Sequence, residues 1–183
     1  MSRINRLRYW LICPTIRLHF SNLFKKLILC MRKDNLYTFD SWPVGTPERL
    51  IHGYWELGMM RFHTFASECG KELQDTYNRT NHGLGANVVY IDLKSMRDGY
   101  RYKSEILDII RGHQQTWVWF VGCSALLEDS LAGWLRSVLT TYDLDHVRVA
   151  FVLDSREQFN HIFRDYSAPF YQSTIALDLS KNG

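Results

Sequence analysis

Beyond the first 33 residues, the stretches Val88-Val89-Tyr90-Ile91 and Trp117-Val118-Trp119-Phe120-Val121 are apolar without interruption, and a third, Val147 to Leu153, is nearly so. A strand with one wet face alternates apolar and polar side chains. A run without alternation has to be covered on both faces, which is the condition of a parallel strand between helical layers. Stretches with helical spacing fall between these runs. Ile106, Ile109 and Ile110 follow the first, and Phe159, Ile162 and Phe163 the third. After the second, Leu131, Trp134, Leu135, Val138 and Leu139 form an i, i+3, i+4, i+7, i+8 stripe behind a cap at Asp129 or Ser130. Strand–helix alternation with right-handed crossovers predicts an α/β fold, a three-layer sandwich around a mostly parallel five-stranded sheet. The five strands are expected near residues 36–40, 88–92, 117–121, 147–153 and 174–179.

The segment between the first two expected strands reads as helical. Thr46 and Pro47 form an N-cap followed by a first-turn proline, which gives up only a donor that the helix start leaves idle. Apolar residues then recur with helical spacing from Ile51 through Trp55, Met59, Phe62, Phe65, Cys69 and Leu73 to Tyr77. Gly53, Gly58 and Gly70 weaken the pattern, so it predicts one kinked helix or two. Asn81-His82-Gly83-Leu84-Gly85 reads as a loop.

Charge divides the chain. Of its 22 basic side chains, eight lie in residues 1–33, where there is no acid, leaving 14 against all 19 acids in the remainder. Ile16, Phe20, Leu23, Phe24, Leu27 and Met31 fall on one helical face of this arm, with Arg17, Lys25 and Lys26 largely opposite. Arg32 and Lys33 close it. The organisation expected is a basic amphipathic helical arm, residues 1–33, and one α/β domain, residues 34–183. Such an arm either packs on its own domain with a solvated basic face or docks to a protein partner or an anionic membrane surface, and the apolar pattern alone does not separate these; nucleic acid is the less favoured partner, because the body of the chain is acidic. The uncharged run Tyr9 to Ile16 is far short of the ~20 apolar residues of a membrane span. With four scattered cysteines and no secretory pattern, a cytoplasmic protein, peripheral to a membrane at most, is expected.

In an open parallel sheet, ligands bind beyond the carboxyl ends of the strands. The residues expected there are Asp40, Asp92, Cys123, Ser124, Asp154 and Arg156. Converging on one edge, they would hold a metal ion, a phosphate or a polar peptide. Asp and Ser at strand ends also serve as ordinary caps of the turn that follows. Cys123, apolar-flanked after a core strand, reads as packing and not as a nucleophile. Tyr100, Tyr102, Tyr166, Phe170 and Tyr171 are expected in loops. His52, His63, Cys69 and His82 match no familiar zinc spacing.

The series Val-Val-Tyr-Ile-Asp-Leu, Val-Trp-Phe-Val-Gly and Val-Ala-Phe-Val-Leu-Asp-Ser-Arg, with helices between, resembles the core of P-loop ATPases of the AAA type over about residues 36–179. That family cradles phosphates on a loop ending in Gly-Lys-Ser/Thr. Here Gly70-Lys71 is followed by Glu72, Phe65 stands where the first glycine belongs, and the segment falls within a helical pattern. The strand at 117–121 ends in Gly122-Cys123 where an acid would hold Mg²⁺; Asp154 matches the polar position after the fourth strand. The resemblance therefore implies a degenerate, non-hydrolysing relative. The function expected is a non-enzymatic scaffold or regulatory module that needs no cofactor. The alternatives are a metal-dependent phosphoryl-transfer enzyme or nuclease using the strand-end carboxylates, with a nucleotide or Mg²⁺ bound, and a nucleic-acid-binding protein acting through the arm.

Overall fold

The computed structural model describes residues 39–98, 100–141 and 144–177. These lie in one compact unit, residues 37–183. The arm, with Arg17, Lys25, Lys26, Arg32 and Lys33, lies outside the described residues.

The chain enters through a short 3-10 turn, Phe39–Ser41, and then forms α1 (Pro47–Glu56), β1 (Arg61–Phe65), α2 (Lys71–Gly83) and β2 (Asn87–Asp92). A 3-10 segment, Leu93–Asp98, leads to α3 (Tyr100–Arg111) and β3 (Thr116–Val121). After a second such segment, Cys123–Leu127, come α4 (Asp129–Thr141) and β4 (Val147–Leu153). The short α5 (Arg156–Phe159) runs into a π turn, Asn160–Arg164, and β5 is Ile175–Ala176. The strands form one sheet in the order β2-β3-β4-β1-β5, and every pairing is parallel.

Three expected strands fall where the apolar runs placed them. The first does not. Asp40 sits in a 3-10 turn ahead of α1 instead of at a strand end, and residues 36–38 lie outside the described residues. The first strand is instead Arg61–Phe65, inside the stretch whose spacing predicts helix. Two local features cut that stretch. Behind α1, the Gly58 N–H bonds to the Trp55 carbonyl (3.4 Å) and the Met59 N–H to the Tyr54 carbonyl (3.0 Å). This is a Schellman stop, and it needs the left-handed backbone that Gly58 supplies at φ +68°. At the other side, Gly70 is the N-cap of α2. Of the last expected strand, Ile175–Ala176 is formed among the described residues, with one further ladder bond from the Leu177 N–H to the His63 carbonyl (2.8 Å), and residues 178–179 lie outside them. Thr46 does cap α1, its Oγ1 accepting from the Arg49 N–H at 3.3 Å.

Alternate side chains of the sheet feed two cores. Val118, Phe120, Val149 and Phe151 pack with α3, α4 and the turn after α5. Trp117, Trp119, Phe62 and Ala150 face α1 and α2. On this second face the small Ala150 lies in the strand between Trp117 and Phe62, whose rings stack at 5.3 Å. Polar groups of α2 hold the layer: Asn78 Oδ1 accepts from Trp119 Nε1 and Asn81 Oδ1 from Trp55 Nε1, each at 2.8 Å. Phe170, expected in an exposed loop, is 1% exposed against Phe151 and Phe163, while Tyr166 and Tyr171 are exposed. Asn81 to Gly83, expected as loop, complete the last turn of α2, and Tyr100 and Tyr102 begin α3. Among the described residues, no helix is long and apolar enough to cross a membrane.

Candidate functional site

Because the strands are parallel, their carboxyl ends share one rim. From neighbouring strands β1 and β4 the chain leaves to opposite faces of the sheet, through α2 and α5 respectively. That divergence is a topological switch point, the crevice where sheets of this kind take ligands.

The turn on the β1 side of the crevice is Phe65-Ala66-Ser67-Glu68-Cys69-Gly70-Lys71-Glu72. Its Gly-Lys pair does not lie within a helix, as the spacing implies; it opens one, directly after a strand, which is the context a phosphate loop requires. The turn is nevertheless closed. The Ala66 N–H donates to the Leu153 carbonyl (2.8 Å), and the Glu68 and Cys69 N–H groups both donate to the Phe65 carbonyl (2.9 Å). A phosphate cradle needs such amides turned toward the ligand. Two acids, Glu68 and Glu72, add repulsion for an anion.

The β4 side completes the closure. Asp154 and Ser155 start α5, with Ser155 Oγ accepting from the Gln158 N–H (3.2 Å) and Gln158 Oε1 from the Asp154 N–H (2.8 Å). Arg156 then reaches back across the crevice. Its guanidinium lies 4.6 Å over the ring of Phe65 and pairs with Glu68 at 3.3 Å. The expected ligand residue thus caps the crevice with a stacked, paired cation.

Farther along the rim, Asp92 is exposed, and its Oδ1 accepts from the Lys94 N–H at 2.9 Å. It lies against Gly122, in left-handed backbone at φ +65°. Cys123 is fully buried beneath, donating from Sγ to the Phe120 carbonyl at 3.3 Å. Burial raises its thiol pKa above the usual range, and the carboxylates of Asp154 and Asp92 raise it further. So Asp92, Cys123 and Asp154 do gather at one end of the sheet, with Ser124 beginning the 3-10 segment beside them, but Cys123 belongs to the core. Asp40 is elsewhere in the chain's path, paired with Arg49 at 3.8 Å. Among the described residues, no three His, Cys, Asp or Glu side chains are grouped to hold a metal ion. His52 and His63, read on one helix, lie on α1 and β1 respectively.

His63 was not among the expected rim residues. Its ring lies tilted against that of Phe159 (4.5 Å between centroids), and Nδ1 shares a hydrogen bond with Thr174 Oγ1 at 3.0 Å. Burial lowers its pKa, and Arg156 lowers it further against a smaller opposing effect of Glu68.

Comparison of the chain with protein-family models, with curated proteins and with solved structures found no match.

Proposed function

We propose that this chain is a non-enzymatic α/β module, built like a P-loop domain without a working phosphate loop, that serves as a scaffold or regulator in a protein complex. One observation carries the reading. A strand–turn–helix element stands at the switch point with the N–H groups of Ala66, Glu68 and Cys69 spent on carbonyls, and the Arg156–Phe65–Glu68 contact caps the crevice beside it. Fold and activity are separable, and a turn closed in this way suits a role in recognising proteins over one in binding phosphate. The basic arm, eight cations without an acid, would supply the docking to an acidic partner or an anionic membrane.

Calorimetry of the full chain with Mg-ATP, alongside a phosphate-release assay, tests the first half: neither heat of binding nor turnover is expected. ATP turnover that Asp154→Ala abolishes would overturn it. For the arm, sedimentation with anionic vesicles is compared between the natural chain and a full-length variant carrying Lys25→Glu, Lys26→Glu, Arg32→Glu and Lys33→Glu. Binding lost in the variant supports a membrane surface. If both stay in the supernatant, the membrane reading goes and an acidic protein partner is left.

A further inference from the structure

Three indoles of the α1/α2 face are treated differently. Those of Trp119 and Trp55 donate to asparagines of α2. Trp117, fully buried and 5.7 Å from the Trp119 ring, has an Nε1–H with no acceptor.

Directly across the β3–β4 ladder, in register with Trp117 and therefore on the same face, stands Arg148. It is 3% exposed. Its guanidinium lies 4.4 Å over the Trp55 ring, and Nη1 donates to the carbonyls of Asp145 (3.1 Å) and Val147 (3.0 Å). Nε has no partner. No carboxylate of the described residues forms an ion pair with it. Burial lowers its pKa to about 10, opposed by a weaker raising effect of Asp145. A buried donor without an acceptor costs about 1–3 kcal/mol, and buried charges are ordinarily paired. Two such donors on adjacent strands, one of them cationic, suit an anionic acceptor. With Nη1 committed to backbone, the Nε edge of the fork is left, and a planar two-oxygen group matches that edge.

We infer that Arg148 and Trp117 form a binding site for a carboxylate, held by the Arg148 Nε edge and the Trp117 indole N–H. The pair lies buried near the amino ends of β3 and β4, the opposite end from the rim, and is independent of the reading above. Its flank is apolar. Leu57 and Met59, 73% and 37% exposed, belong to the turn after Trp55, and the Met60 carbonyl accepts from the Val149 N–H at 2.8 Å, fixing that turn against the start of β4.

The test is a ¹H–¹⁵N titration of the full chain with sodium acetate, at ionic strength held constant with chloride. Of the six tryptophan indole signals, that of Trp117, assigned through Trp117→Phe, and the Arg148 Nε–H signal should shift together and saturate. Arg148→Met should abolish the response. Trp117→Phe, which keeps an aromatic ring without the N–H, should weaken binding by about ten- to hundredfold, the worth of one hydrogen bond to a charged group, and it carries the test if the arginine variant does not fold. A second arm uses a blocked peptide with one glutamate between leucines against its glutamine counterpart. Response to acetate identifies a free small carboxylate as ligand; response only to the glutamate peptide identifies an acidic side chain of a protein partner. If neither probe moves the two signals, or chloride moves them equally, the assignment is wrong.

Discussion

Replacing Gly122 by alanine tests whether Asp92 is committed to the fold. Gly122 leaves β3 at φ +65°, ψ 32°, where an L residue with a Cβ loses about 1–2 kcal/mol. A Cβ there would overlap Asp92 Oδ1 and come within 3.0 Å of Lys94 Cγ and 3.2 Å of the Lys94 backbone nitrogen. Backbone gives little, so the carboxylate has to swing away. It then loses the bond it accepts from the Lys94 N–H at 2.9 Å, worth about 0.5–1.5 kcal/mol. Together the terms predict a loss of about 1.5–3.5 kcal/mol, or roughly 5–10 °C in Tm for a domain of this size. Urea denaturation of the parent, Gly122→Ala, Asp92→Ala and the double variant measures it. In the double variant the overlap is gone, so its loss should fall short of the sum of the singles by about 1 kcal/mol. A Gly122→Ala protein within about 0.5 kcal/mol of the parent, or strict additivity, would refute the claim that Asp92 is a packed cap.

Three further outcomes are expected. His63 has a folded-state pKa below its unfolded value of 6.5, so the unfolded chain takes up the proton first as pH drops. Stability should be flat above pH 6.5 with respect to this group and decline below it toward the lower folded value; denaturation at pH 7.5 and 5.5 should show a smaller decline in His63→Gln, and an unchanged decline counts against the assignment. Cys123, buried and with its thiol pKa raised by burial and then by Asp154, should resist iodoacetamide at pH 8 until the chain is unfolded, with peptide mass spectrometry as the readout; rapid native labelling would contradict its burial. Asn81→Leu strips the acceptor from the part-buried Trp55 Nε1–H and replaces a fully buried amide, and should cost about 1–3 kcal/mol in urea denaturation; a loss below about 0.5 kcal/mol would show that the asparagine does not hold the layer.

The parallel sheet was legible because β3 and β4 are covered on both faces, and double coverage writes itself as continuous apolar sequence. β1 was not legible, for a physical reason. It is five residues long, too short to establish a period, and its buried Thr64 with half-buried Arg61 and His63 blurs the alternation. Its apolar residues also continue the spacing of the helices on either side, so periodicity alone bridges three elements. The signal that separates them is the stop at Leu57-Gly58. Leu84-Gly85 ends α2 with the same pair of hydrogen bonds, and there the glycine-rich surroundings made the stop readable. Recognising one Leu-Gly stop in the other would have isolated Arg61–Phe65 and put Gly70-Lys71 at the head of a helix.

The rim residues show why a strand-end aspartate says little without its partners. Asp92 and Asp154 are at strand ends as the sequence places them, yet one is a turn cap and the other lends its amide to a helix start. Capping and ligation draw on the same residue types at the same positions, so only the acceptor and donor accounts distinguish them. The same accounting turns attention to Arg148, the single charge inside the apolar run Val147 to Leu153. A strand buried on both faces has no solvent into which such a side chain can extend, so a charge there needs compensation within the protein or from a ligand. Two carbonyls compensate one nitrogen of its guanidinium and nothing compensates Nε. The residue that breaks a hydrophobic run is therefore a better guide to a site in this chain than the acids that follow the runs.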